Sequence, residues 1–302
     1  MYVIDIHAHP IPNIVKPENL LAIMDKLNIK KIVLLAIDIG PEDMKNGKLE
    51  ANIYKAFQFT SIGNIPKLVL EARRFIEFAS TPNEYVYEFT KIDPNRFVGF
   101  GSISPYRRTN EIFNLFRKFD DYGFRGLKVI PTLQQFDPEK NENFEIIWSK
   151  AHERNYAILA HTGFDPGPWE YFPLSIIARP SRYEKLIAKY DNPVILAHAG
   201  SYSAYYPGLW HNEAIELVSK YEHVYMDVSA VFYLTRDEKI VRKWRDLSIM
   251  DKVLFGSDYP AVEGLTLENS INLVKSSPVL SQKEKEMILY KNAEKLFHVL
   301  KV

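Results

Sequence analysis

Eight short apolar runs without strict polar alternation punctuate the chain, at residues 2–6, 31–37, 97–103, 126–130, 157–160, 194–197, 224–228 and 253–256. Strands buried on both faces read this way, because neither face needs a regular polar partner. Helical periodicity fills the intervals at 17–27, 83–91, 111–122, 144–154, 182–189, 212–220 and 237–247, and two further segments, 265–275 and 282–300, close the chain. Strand–helix alternation with right-handed crossovers builds either a doubly wound sheet or a closed barrel. Eight units with polar residues gathered at many strand ends favour the α/β class, a (β/α)8 TIM barrel forming one domain over residues 1–302.

One connection breaks the rhythm. Roughly fifty-five residues separate the second run from the third, against the usual few plus a helix. Residues 43–80 read as a helical insertion with helices at 49–59 and 66–78, ahead of the regular helix at 83–91. An insertion after a barrel strand lies over the mouth, where it would serve as a lid, as a dimer contact or as decoration.

Composition narrows the function. The 302 residues suffice for a large core, and 38 Lys and Arg balance 38 Asp and Glu. With no net field, neither nucleic acid nor a membrane surface is expected as a partner. Cysteine is absent, which excludes disulfides, thiolate metal sites and a cysteine nucleophile. The amino terminus enters strand pattern without a basic-then-apolar leader, and no apolar run approaches about 18 residues. A soluble, cytoplasmic protein is expected, with a small-molecule substrate as its partner and homo-oligomerisation left open.

The chemistry gathers at strand ends. His7-Ala8-His9 closes the first run, and Ile-Leu-Ala-His recurs at 158–161 and 195–198, each time followed by a small residue and a glycine. His7, His9, His161 and His198 thus stand at the carboxyl ends of three strands, where α/β barrels keep their active sites. Strand alternation sends His7 and His9 to one side, able to grip one ion together, and Ile4 and Ile6 to the other, toward covering helices. Asp258 ends the eighth run, which neighbours the first on closure, so its carboxylate can reach the same ion. Lys128 closes the fourth run. A lysine aimed into a barrel mouth is costly unless paired; it either binds a substrate carboxylate as a cation, bridges two metals as a carbamate, or forms a salt bridge at the rim. Asp5 is expected to share the His7/His9 face, as an acceptor orienting a ligand or as a core polar group.

The remaining histidines carry less. His152 and His298 sit on helices and His223 opens the seventh strand, at the face opposite the chemistry. His211 stands in a loop on the catalytic side and is a minor candidate for substrate contact. Aromatics crowd the loops after strands five to seven (Trp169, Tyr171, Phe172, Tyr202, Tyr205, Tyr206, Trp210, Phe232, Tyr233), either lining a pocket or packing the loops and a partner subunit.

At these residues the chain resembles the amidohydrolase superfamily, within it the amidohydrolase-related branch of metal-dependent hydrolases and non-oxidative decarboxylases. The carriers are Ile4-Asp5-Ile6-His7-Ala8-His9, Asn95-Arg96-Phe97-Val98-Gly99-Phe100, Arg125-Gly126-Leu127-Lys128, His161-Thr162-Gly163 and His198-Ala199-Gly200. Tyr225-Met226-Asp227-Val228-Ser229, Phe255-Gly256-Ser257-Asp258-Tyr259-Pro260 and Asn292-Ala293-Glu294-Lys295-Leu296-Phe297 follow in family order. The resemblance implies that His7, His9, His161 and Asp258 bind a divalent metal. It implies that His198 binds a second metal or hydrogen-bonds the reacting group. Many relatives carry a histidine two places after the fourth-strand lysine, where this chain has Ile130, so a function tied to that histidine is not carried over.

Three imidazoles and a carboxylate suit zinc, with a position left for water. The expected activity is a metal-dependent hydrolase acting on an ester, lactone or amide-type small molecule. Asp258 would take the water proton and His198 would stabilise the oxyanion. One ion is favoured over two, with Lys128 uncarboxylated and directed at the mouth. The alternatives are a metal-dependent decarboxylase of an aromatic or unsaturated carboxylic acid, and a non-catalytic metal-binding barrel.

Overall fold

All eight apolar runs form strands in the computed structural model, which describes residues 1–39, 51, 53–54, 65–165 and 170–302. They are β1 Val3–Ala8, β2 Ile29–Leu35, β3 Phe97–Gly101, β4 Gly126–Val129, β5 Ala157–Gly163, β6 Val194–Tyr202, β7 Val224–Asp227 and β8 Val253–Leu254. The strands pair in chain order, each parallel to the next. The ring closes where Ala8 bridges Tyr259 in parallel and His9 N donates to Tyr259 O at 2.8 Å.

The connecting helices are α1 Pro17–Leu27, α2 Ile65–Ala79, α3 Asn83–Ile92, α4 Thr109–Tyr122, α5 Glu142–His152, α6 Glu184–Lys189, α7 His211–Lys220, α8 Glu238–Asp246, α9 Leu267–Lys275 and α10 Asn292–Leu300. Local chemistry sets their ends. Proline opens α1, and Asn28 ends it in the left-handed region at φ 55°. Asp237, Asn141 and Thr266 cap α8, α5 and α9 through side-chain oxygens. The predicted final helix at 282–300 is interrupted by a wider turn at Met287–Lys291. Phe255 N donates to Ile288 O there at 3.0 Å, tying the end of the chain to the strand that carries Asp258. Among the described residues no helix is long and apolar enough to cross a membrane.

The strands bury two faces. Ile32, Leu34, Leu127, Ile158, Leu196 and Met226 pack outward against helical residues such as Phe89, Phe116, Trp148, Val218 and Trp244. A second cluster joins Ile4, Ile6, Val33, Leu35, Phe100, Leu159, Ile195 and Leu254 around the ring and is closed by Leu296, Phe297 and Leu300 of α10. This is the barrel interior. Phe100 fits across it because Gly126 has no side chain: a Cβ there would lie 2.6 Å from the Phe100 ring.

One sequence expectation needs correction here. Ile4 and Ile6 line the interior rather than facing the helices. The register against β2 runs Asp5↔Ile32 and then Ala8↔Leu34, so three residues of β1 span two of β2. This irregularity suspends strict alternation and lets Ile6 and His7 both point inward. The two Ile-Leu-Ala-His segments are not equivalent. Ala160 pairs with Leu196 and His161 with Ala197, so the repeats lie one residue out of register. Leu159 then faces the interior while Leu196 faces the helices. His161 follows its strand inward, whereas His198 falls on the outward parity.

The predicted insertion helix at 66–78 is α2, while its companion at 49–59 lies largely outside the described residues. Val69, Ala72 and Ile76 lie on one face of α2 and pack with Ile37, Ile39, Ile130 and Leu133 at the strands' carboxyl ends.

Candidate active site

Six predicted side chains from five different strand ends meet at one end of the barrel. His7 Nδ1 donates to Asp227 Oδ2 at 2.9 Å, which leaves Nε2 as a lone pair. That Nε2 lies 3.3 Å from His9 Nε2, 3.0 Å from Lys128 Nζ and 3.3 Å from Asp258 Oδ1. Asp258 Oδ1 is also 3.4 Å from His9 Nε2. Suitable ligand atoms of His7, His198 and Asp258 lie within 4.8 Å of one another, giving a second triplet that overlaps the first. His161 stands beyond His198, with ring centroids 5.0 Å apart. Its Nε2 is buried without a hydrogen-bond partner, 3.4 Å from Asp165 Oδ2.

This donor set fits a divalent cation. Two imidazole nitrogens pointed at each other gain little unless an ion lies between them, and the orphaned His161 nitrogen points to the same need. Burial, aided by the Lys128 charge, holds His7 well below the usual imidazole pKa and lowers His161 to about 3. Burial lowers His9 and takes His198 to about 4. All four rings are therefore neutral at pH 7, the state that ligates metal. Burial would raise Asp258, but His7, His9 and His198 outweigh it and keep the carboxyl below its ordinary range.

Lys128 is 1 % exposed and so lies within the site, below its rim. Burial lowers its pKa to about 8, against the pull of Asp258, Asp227 and Asp165. A buried ammonium costs several kcal/mol, a cost that a purely structural role would not explain. Asp5 does not touch an imidazole. Its Oδ1 accepts from the backbone N of His7 and of Ser257, both at 3.0 Å, clamping the first and last strand ends together.

Backbone conformation does the final aiming. His198, Ala199 and Asp258 adopt φ of 59°, 48° and 61°, and such left-handed residues cost about 1–3 kcal/mol each. The turn at His198 brings an outward-parity residue back to the cluster. Its Nδ1 donates to Ser229 O at 2.9 Å, so the neutral ring presents Nε2 as an acceptor. The oxyanion-donor role expected for His198 therefore requires that it first gain a proton. Gly256 completes the packing, since a Cβ there would come within 2.6 Å of His7 Cβ.

Sequence reasoning missed Asp227, although it ends a strand like every other member of the group. Asp227 holds the His7 ring through Oδ2 and the His198 backbone N through Oδ1 at 2.9 Å. Asp165 was missed too; burial raises it to about 6 and Thr132 Oγ1 donates to it. Above the polar floor lies a small recess of about 60 Å3, open to solvent, lined by Lys128, His161, Asp165, Tyr202 and Asp258. Its opposite wall is apolar, formed by Ile11, Ile37, Ile130 and Leu133 with Phe75, Phe78 and Ala79 of α2. Of the loop aromatics named from sequence, Tyr202 lines the recess and stacks on His198 with centroids 4.6 Å apart. Trp210 and Phe232 are buried, Tyr205 and Tyr206 are exposed, and Trp169 lies outside the described residues. His211 opens α7, buried and away from the recess.

A parallel barrel with histidines and an aspartate converging at its strand ends defines the class of metal-dependent barrel hydrolases and decarboxylases. Within that class the chain belongs to the amidohydrolase family, whose model matches residues 4–299. No curated protein matches it. Among solved structures it is similar to the probable 2-pyrone-4,6-dicarboxylic acid hydrolase of Acinetobacter baumannii, crystallised with citric acid (17% identity, TM-score 0.63, covering 99% of this chain and 100% of that one). It is also similar to 2,6-dihydroxybenzoate decarboxylase from Rhizobium (14%, 0.62, 99% of each chain). A third is the dihydroxybenzoic acid decarboxylase of Polaromonas sp. JS666 with bound manganese and 2-nitroresorcinol (15%, 0.60, 99% and 97%). At these identities the likeness is one of fold.

Proposed function

We propose that this chain is a single-domain, metal-dependent hydrolase that cleaves an ester, lactone or amide-type bond in a small, largely apolar molecule. The observation that carries the reading is the meeting of His7, His9 and Asp258 within 3.3–3.4 Å at the floor of a recess with an apolar wall. His7, His9, His161 and Asp258 would hold one divalent ion, zinc by the chemistry of the donor set. That ion supplies a water acidic enough to lose a proton near neutral pH. Asp258, ionised and facing the cluster, accepts the proton. His198, with Nε2 as a lone pair, is the second acid–base group: it would take that proton on from Asp258 and pass it to the leaving group. Ile130, Leu133 and Phe75 exclude water from the apolar part of the substrate and orient its scissile bond over Asp258.

The reading is tested by assaying esters, lactones, amides and aromatic carboxylates on protein stripped by chelation and then reloaded with zinc or manganese. Turnover of a neutral ester, lactone or amide only when reloaded is expected. Metal content should fall on dialysis into acid, because protonated imidazoles cannot ligate, and should be full at pH 7, where burial keeps them neutral. Full activity of the stripped protein would end the proposal. Lys128, a cation within the recess, favours a second reading as a decarboxylase that anchors a carboxylate. Carbon dioxide release from an aromatic carboxylate would establish it.

Lys128→Ala separates one ion from two. With one ion, the variant is expected to keep about one metal per chain and lose substrate binding, read as a raised KM with kcat less affected. Metal loss that bicarbonate cannot restore would instead show a carboxylated lysine bridging two ions.

A further inference from the structure

His211 is buried, conspicuous in the sequence, and unused by the chemistry above. Trp244 Nε1 donates to its Nε2 at 3.0 Å, and an indole nitrogen can only donate. The His211 ring must therefore carry its proton on Nδ1, which lies 2.9 Å from Ala199 O. Ala199 is one of the two consecutive left-handed residues that turn His198 back toward the cluster. Three other polar groups of this turn are also held: His198 N by Asp227, Gly200 N by Thr162 Oγ1 at 2.9 Å, and Gly200 O by Trp210 N at 3.1 Å. Ser201 Oγ adds a second donor to Ala199 O at 3.0 Å.

We infer that His211 is a positioning residue: locked by Trp244 into the Nδ1–H tautomer, it fixes the Ala199 carbonyl and thereby the orientation of the His198 imidazole. His198 lies on the outward parity of β6, so its ring reaches the cluster only while this peptide keeps its rotation. Trp244 comes from α8 and His211 from α7, so two helices of the outer layer set the geometry of a group in the site. The inference rests on the reading of His198 as an acid–base group.

The test pairs His211→Leu, which keeps bulk and removes the donor, with His211→Asn, whose amide nitrogen can occupy the Nδ1 position and restore it. Long-range 1H–15N spectra of the metal-loaded protein report imidazole tautomers without any substrate. They should show His211 protonated on Nδ1, and a His198 pattern that changes in the Leu variant and not in the Asn variant. On the panel substrate turned over fastest, kcat should fall roughly 10–100-fold for Leu and within about threefold for Asn, with KM and metal content unchanged in both. If the Leu variant does not fold, Trp244→Phe removes only the indole donor and should yield mixed His211 tautomers. An Nε2–H tautomer in the unaltered protein, or a His198 pattern and kcat equal in the Leu and Asn variants, would overturn the inference. If His198→Asn left turnover intact, the acid–base reading would fall instead, while the spectra would still judge the clamp.

Discussion

Asp258→Asn is expected to lower turnover by roughly a hundredfold or more, about 2.7 kcal/mol of transition-state stabilisation, and to weaken metal binding at the same time. The substitution keeps shape and removes charge. Asp258 Oδ1 lies within 3.3–3.4 Å of two imidazole nitrogens, and its carboxyl is held below the ordinary range despite its burial. An amide there can neither neutralise a bound cation nor accept the water proton. The backbone should tolerate it, because asparagine is among the residues that enter the left-handed region at φ 61° most readily. Turnover and metal per chain, measured together at saturating metal, are the check. A metal-replete Asn variant with undiminished kcat would remove Asp258 from the proton path.

His198→Asn is expected to cost a similar factor while leaving the first metal in place. The geometry makes this a clean subtraction. His198 holds Ser229 O through Nδ1 at 2.9 Å, and an asparagine amide nitrogen can make the same bond from nearly the same place. What disappears is Nε2, the acceptor side of the ring. Asparagine also suits the φ of 59° at this position. Loss of kcat with the metal retained supports the acid–base role. Loss of the metal as well would mean that the His7, His198 and Asp258 triplet is the true ligand set.

The two variants differ in how far their roles could be read in advance. The barrel was legible because a strand buried on both faces leaves an uninterrupted apolar run, and eight such runs separated by helices admit few closures. His7, His9, His161, Asp258 and Lys128 were legible for a related reason. Ionisable residues ending apolar runs are costly to bury without a task, and a closed parallel barrel brings its strand ends together. Asp227 obeyed the same rule and was passed over, since a carboxylate paired with one imidazole leaves no spacing of its own. The sequence placed the insertion over the mouth, but not that Phe75 and Phe78 form its apolar wall, because a helix shows its apolar face without showing what that face is buried against.

By itself, then, the chain determined which residues stand at the carboxyl ends of its strands, through local burial and periodicity. Tertiary structure alone decided where those residues point. One extra residue in β1 relative to β2 turned Ile6 and His7 to the same side. A one-residue offset between β5 and β6 made identical Ile-Leu-Ala-His segments inequivalent. Left-handed turns at His198 and Asp258, stabilised by hydrogen bonds from β7, α7 and β1, brought the last two groups into the cluster. Register and positive φ arise from pairing between distant segments, and no local pattern of apolar and polar residues encodes them.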